Sequence, residues 1–479
     1  MTRSLRYQSH DDDMRIGVRQ QQPRLSAWRA VDLGLAVLVL TIALWQLLPG
    51  VTTTPFHRDE ARWIYRVQLI KDWRHPLSEQ WQDDGYPIGT GSLDERTRMS
   101  GQPPFASYLL GIGMLLQGRD LTTNDFWVMD QDDAWNNAHG NMPSAADLRA
   151  ARRTNVVLAA LAVVAVYFIG KRLTNRVGGF IGAASLAVHP LLFDVATRAW
   201  ADTTLIFLLA FAAIAAYRLA DHPTWERAVL LGALIGFAGA TKLSPLLLSA
   251  PLAAFGVVPI LYRRFIWTEP TLDPPTNRVE WKLVAQPLIA LAFFVLSYPY
   301  LWPHPIDNTY KLFKFRADSF SIQAAAFPQA KVLGVTDAFR RVGDELGHRF
   351  SSARHLVTAL SDAMGFTVPP GWHIEYIDLA LAVIGLELLI ALVVLRGFRM
   401  APILAATIFG GEAAIVVLTM GVEYARYLVP VLLAVVIGIG VTGGLAWSGL
   451  RVLYINWATR TRPATAPSTM EPTSDPASF

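Results

Sequence analysis

The chain contains no cysteine among its 479 residues. That excludes disulfides, thiolate metal sites and a cysteine nucleophile. It is also poor in charge: only 17% of residues are Asp, Glu, Lys or Arg, against about 25% in soluble globular domains. Missing as well are a P-loop, a dinucleotide-binding fingerprint and a His-Glu-x-x-His zinc helix. The first apolar run is too long for a secretory leader and has no small-residue cleavage site. No repeat of solenoid period is present.

What the chain has is apolar surface. It is 52% hydrophobic, with a mean hydropathy of +0.31. Many long apolar runs go with these totals, and together they point to an all-α integral membrane protein. Tryptophan, at 15 residues, suits interfacial belts. The net charge of +4 and a pI near 9.2 fit basic cytoplasmic loops and give no reason to expect a nucleic-acid partner.

Ten runs are expected to cross the bilayer: 30–48, 154–170, 177–193, 201–219, 227–241, 243–262, 283–298, 377–395, 400–419 and 427–446. Residues 1–29 and 459–479 are polar or Pro/Ser/Thr-rich and are read as disordered tails. Arg24 and Arg29 place the first tail in the cytoplasm by the positive-inside rule. Alternate turns then fall on bases: Lys171-Arg172, Arg218 with Arg227, Arg263-Arg264, Arg396 with Arg399, and Arg451. The membrane domain therefore covers 30–446, with outer loops at 50–153 and 301–376. Within the first loop, residues 104–116 form an apolar run of 13 residues. At 1.5 Å per residue that is too short to cross about 30 Å of hydrocarbon, so an interfacial helix is expected.

Charges inside or at the ends of spans are costly and usually serve a purpose. At the outer ends lie Asp59, Glu60, Arg152, Asp194, Arg198, Asp202, Lys242, His304 and Arg426. Each also has a structural reading. Asp194, Arg198 and Asp202 are spaced to pair along one helix face, Lys242 and Arg426 could snorkel to the interface, and His304 lies in an aromatic, proline-rich turn. Glu387 and Glu412 sit inside spans. They are the opening for a different class, a multi-span transporter or lipid flippase capped by the large outer loop. That class predicts internal repeats, which are not detected. The acidic run Asp130 to Asp133 departs from a calcium loop, lacking its glycine and carrying Asn141 at the twelfth position.

Six short motifs follow one another along this topology: Asp59-Glu60-Ala61-Arg62, Gln102-Pro103-Pro104-Phe105, Arg152 opening a span, Thr197-Arg198-Ala199-Trp200-Ala201-Asp202, Gly239-Ala240-Thr241-Lys242, and Arg426-Tyr427-Leu428-Val429-Pro430. In order and placement they resemble the GT-C glycosyltransferases of the protein O-mannosyltransferase and lipid A aminoarabinose transferase type. The resemblance implies a helical bundle with juxtamembrane helices in the first outer loop. It also implies a polyprenyl-phosphate-linked sugar as donor and transfer on the non-cytoplasmic face. Asp59 matches the family's proposed catalytic carboxylate and Asp202 an acidic active-site position. Gln102 departs from the Lys or His often found before the paired prolines.

On that resemblance, Asp59 is expected to act as base on an acceptor hydroxyl. Glu60 would orient Asp59 or the acceptor, or hold a divalent metal. Arg58, Arg152, Lys242 and Arg426 would hold the donor phosphate, with Gln102, Arg198 and His304 in support. The sugar and the acceptor, whether protein, lipid or glycan, stay open. An integral protein of the plasma (inner) membrane is expected.

Overall fold

In the computed structural model, the described residues are 24–78, 81, 102–265, 278–367, 374–395 and 399–461. Most of both expected tails lies outside them. Residues 24–29, expected in the polar tail, instead begin the first helix, α1 (Arg24–Leu47). Among the described residues the chain is a helical bundle, and its only β pairing is an isolated bridge between Lys331 and Val422. It is an integral membrane protein in which all ten apolar runs are helical.

Among the described residues, eight helical segments are long and apolar enough to cross a membrane. A bent pair, α5 (Arg176–Ala187) and α6 (Pro190–Ala196), is long and apolar enough only when taken together; its pieces meet at 57°, the form of a broken span or a re-entrant loop. Pro190 starts the second piece because its missing N–H costs nothing in a first turn, and His189 Nδ1 accepts the Leu191 N–H at 3.2 Å. The tenth run forms α8 (Trp225–Gly239), only 15 residues long and about 22 Å. It is short for a crossing and packs against α10 (Val279–Leu296), where Gly232 and Gly236 admit close approach.

The core lies where α4 (Ala145–Leu173), α7 (Ala201–Asp221), α14 (Met400–Leu418) and α15 (Val429–Thr461) meet the bent pair. Lipid tails are as apolar as leucine side chains, so close backbone packing has to hold such helices together. Here glycines supply it. A methyl group on Gly178 would lie 2.6 Å from the Gly440 carbonyl oxygen, and one on Gly182 would lie 2.9 Å from that of Val436. α13 (Ile377–Leu395) meets α15 the same way, through Gly385 and Gly438.

The run at 105–116 is a helix, α3 (Phe105–Leu116), of 12 residues. It lies against α4, and Phe105 stacks on Phe237 of α8 at 4.4 Å. Two ends of the bundle are thus distinct. One carries α2 (Arg58–Tyr65), α3 and the starts of α4 and α7. The other carries the basic ends of α4 and α7, where Asp32 receives Arg176 at 2.6 Å as well as Lys171.

Candidate active site

The site begins with a cap. His57 is extended, and its Nδ1 accepts the Asp59 N–H at 3.1 Å. Its own N–H donates to Glu60 Oε2 at 3.0 Å. This reciprocal pair starts α2 and aims the Asp59 carboxylate off its first turn. Because Nδ1 is an acceptor, the ring proton sits on Nε2 and the imidazole is neutral. Burial pushes the His57 pKa down, which favours that state. The 3.9 Å approach of His57 to Asp59 is therefore too long for a hydrogen bond and not an ion pair.

Glu60 and Arg152 are the buried core of the site. Arg152 gives all five of its N–H groups: Nε and Nη2 to Glu60 at 2.8 and 2.7 Å, and the rest to the carbonyls of Val51, Thr54 and Pro55. Glu60 also accepts the Ala199 N–H at 2.9 Å. Asn155 then ties down the same loop through the carbonyls of Arg198 and Trp200. Glu60 is fully buried and Arg152 almost so. Two expectations need correction here. Arg152 has no N–H left for a donor phosphate. Glu60 has no oxygen left for a metal or an acceptor. Together they lock α2, α4 and the 197–200 loop into one unit, which fixes where Asp59 points.

Asp59 itself meets Arg426 Nη1 at 2.8 Å. Burial alone would raise its carboxyl, but the guanidinium of Arg426, with that of Arg62, outweighs this and holds it below the ordinary carboxylate range. Beside this pair is a second one, Lys242 Nζ to Asp202 Oδ1 at 2.5 Å. Asp202 lies in the first turn of α7, where a helix end favours negative charge. Tyr427 stands between the pairs, with its ring centroid 4.8 Å from Lys242 Nζ and 5.7 Å from Arg426 Cζ. Arg426 also lies over Trp200 at 4.9 Å. Four charged groups from four separate stretches of sequence thus converge on one ring. Asp59, Arg426 and Lys242 keep 17%, 22% and 25% of their side chains exposed, so they can be reached by a ligand.

Sequence reasoning missed Arg316. It lies on α11 (Pro305–Ala326), with its guanidinium 5.4 Å from the Tyr427 ring centroid and 4.2 Å from that of Phe320. The second outer loop is carried there by pairing. Val332 N–H donates to Gly421 at 3.1 Å, Glu423 N–H donates to Ala330 at 2.8 Å, and Arg341 binds Glu423. Asn308, Leu312, Arg316 and Phe320 recur every four residues, so a single stripe of α11 faces inward. That spacing was the available signal.

The remaining expected residues are placed differently. Arg58 is exposed. Arg198 pairs with Asp194 at 3.2 Å and donates to the Pro55 carbonyl at 3.1 Å, which braces the loop. Gln102 sits beyond the far end of α2, holding Arg66 at 3.1 Å, while Tyr298 donates to its carbonyl at 3.2 Å. His304 is exposed at the start of α11, and no hydrogen bond or ion pair joins it to Asp59 among the described residues. Glu387 faces outward from its span. Glu412 is fully buried, and its carboxyl oxygens make no hydrogen bond among the described residues. Among those residues no three His, Asp or Glu side chains gather as a metal-ligand set.

Residues 144–298 match the model of the dolichyl-phosphate-mannose-protein mannosyltransferase family. That segment is about a third of the chain and includes Arg152, Asp202 and Lys242. No curated protein sequence matches. Solved structures with a similar course include the protein O-mannosyltransferase Pmt1-Pmt2 complex of S. cerevisiae, bound to the sugar donor, at 15% identity and a TM-score of 0.38; the match covers 58% of this chain and 33% of that one. Another is ArnT from Cupriavidus metallidurans bound to undecaprenyl phosphate, at 16% identity and a TM-score of 0.42, covering 92% and 66%. A third is the oligosaccharyltransferase of Archaeoglobus fulgidus, at 14% identity and a TM-score of 0.45, covering 90% and 52%. The chain spans from a third to about two thirds of the length of these proteins.

Proposed function

We propose that this membrane glycosyltransferase, of the GT-C and O-mannosyltransferase-like type, moves a sugar from a polyprenyl-phosphate donor to an acceptor hydroxyl, with Asp59 as the general base. The observation that carries this reading is the pair of acid–base contacts, Asp59 with Arg426 and Asp202 with Lys242, meeting around Tyr427. In the transfer, the bond from the anomeric carbon to the phosphate oxygen breaks as the acceptor oxygen bonds to that carbon. The acceptor proton passes to Asp59, and polyprenyl phosphate departs as the anion.

Each residue then has a physical task. A carboxylate kept ionised by Arg426 can accept the hydroxyl proton. Arg426, Lys242 and Arg316 supply positive charge for the leaving phosphate, worth most in a site of low dielectric. Glu60 and Arg152 are positioning residues, because their bonds are spent on the protein itself. The Asp59 end faces the non-cytoplasmic side of the plasma (inner) membrane, consistent with the basic loops at the opposite end.

The test is Asp59→Asn, which keeps shape and removes the base. Membranes carrying either form would be given a polyprenyl-phosphate sugar, and lipid-linked sugars followed by mass spectrometry. Turnover should fall by about 10²–10⁴-fold, the usual contribution of a general base. Turnover equal to the unmodified protein would remove Asp59 from that role.

A further inference from the structure

The end of the bundle opposite Asp59 holds a cavity of about 350 Å³ that the transfer reaction does not use. It opens where α4 and α7 end and α8 begins, and Arg172, Arg218 and Arg227 all line it. Their charges are poorly balanced. Asp221 approaches Arg172 only to 3.6 Å. Arg227 spends Nη1 on the carbonyls of Arg218 and His222, at 2.9 and 2.8 Å. Those bonds cap the carboxyl end of α7, and the rest of its fork makes no hydrogen bond among the described residues. The Arg218 side chain is exposed and makes no hydrogen bond or ion pair among them.

Three guanidinium groups around one concavity repel each other. Two carboxylates, Asp221 at 3.6 Å from Arg172 and Glu226 beside Arg227, leave the three cations in excess. His222, also in the lining, cannot supply negative charge. The ligand that fits is an anion with several acceptor oxygens, and planar guanidinium forks match phosphate oxygens in pairs. One wall is apolar: Leu230 lines the cavity, and it and Val229 are 48% and 41% exposed on the flank of α8. A ligand with both a phosphate and hydrocarbon would satisfy both surfaces.

We propose that this cavity is a phosphate-binding site at the basic end of the bundle, filled by the headgroup of an anionic phospholipid whose chains run along Val229 and Leu230. It is separate from the Asp59 site by the length of α4 and α7, and it stands whether or not the proposed transfer is correct. A free phosphate ion offers the same oxygens without the chains, so the experiment separates the two sources.

Purified full-length protein in neutral detergent would be titrated with phosphatidylglycerol, phosphatidylcholine or inorganic phosphate, following thermal unfolding by tryptophan fluorescence. The same titrations would be run on Arg218→Gln, which disturbs no bond made by that side chain. Phosphatidylglycerol should raise the unfolding midpoint, phosphatidylcholine should not, and Arg218→Gln should weaken apparent phosphatidylglycerol affinity at least tenfold. Inorganic phosphate matching phosphatidylglycerol, with the same dependence on Arg218, would keep the phosphate site and overturn its lipid occupant. Equal responses to the two lipids, or an unchanged response in Arg218→Gln, would overturn the site itself.

Discussion

Removing both members of the Glu60–Arg152 pair should cost the protein clearly less than the two single removals added together. With Arg152→Met, the Glu60 carboxylate stays buried and keeps only the N–H groups of His57 and Ala199. The carbonyls of Val51, Thr54 and Pro55 lose their donors as well. With Glu60→Leu, a guanidinium that is 3% exposed loses its counter-ion. Breaking a buried pair from one side costs about 3–5 kcal/mol. Against a total stability of about 5–15 kcal/mol, that is a large share. The double variant has no stranded charge, and its cost should fall short of the sum of the singles by about 2 kcal/mol or more. Equilibrium unfolding in mixed micelles, for all four proteins of the cycle, measures this. Single costs below about 1 kcal/mol, or strict additivity, would refute the claim that this pair anchors α2.

Three further outcomes are expected. Arg426→Gln removes the charge that holds the Asp59 carboxyl down while burial still pushes it up; on the proposed reading Asp59 works ionised, so the acid limb of the kcat/KM profile should move to higher pH, and an unmoved limb counts against the pairing. Gly385→Ala would put a methyl group 1.9 Å from the Gly438 carbonyl oxygen, so α13 and α15 must separate at a cost of about 1–3 kcal/mol, read as a lower unfolding midpoint. Arg316→Ala should raise KM for the lipid-linked donor by roughly tenfold, or about 1.4 kcal/mol, with kcat changed less; an unchanged KM would make Arg316 a purely structural partner of Tyr427.

Helices were the legible part of the sequence. Apolar length and the alternation of bases located all ten runs, because the first follows from bilayer thickness and the second from the positive-inside rule. Bends and short pieces were harder. The run at 177–193 reads as one span by hydropathy, although His189-Pro190 carries the signature of a helix start. Depth and sign of charge singled out Asp59, Asp202, Lys242 and Arg426, which the structure brings to one ring. Sequence could not show how each charge is spent. Arg152 and Arg426 look alike at span ends, yet one is consumed by five bonds and the other stays partly exposed. That difference comes from contacts between residues about a hundred positions apart, which no local pattern encodes.

Arg426 has one carboxylate at hand before any substrate arrives, and on the proposed reading an incoming phosphate must compete for it. Success in that competition leaves Asp59 without its counter-ion, more basic than at rest and facing the acceptor. Donor loading would therefore arm the enzyme, and an empty enzyme would stay quiet. Such coupling imposes a sequence on the encounter, lipid-linked sugar first and hydroxyl second.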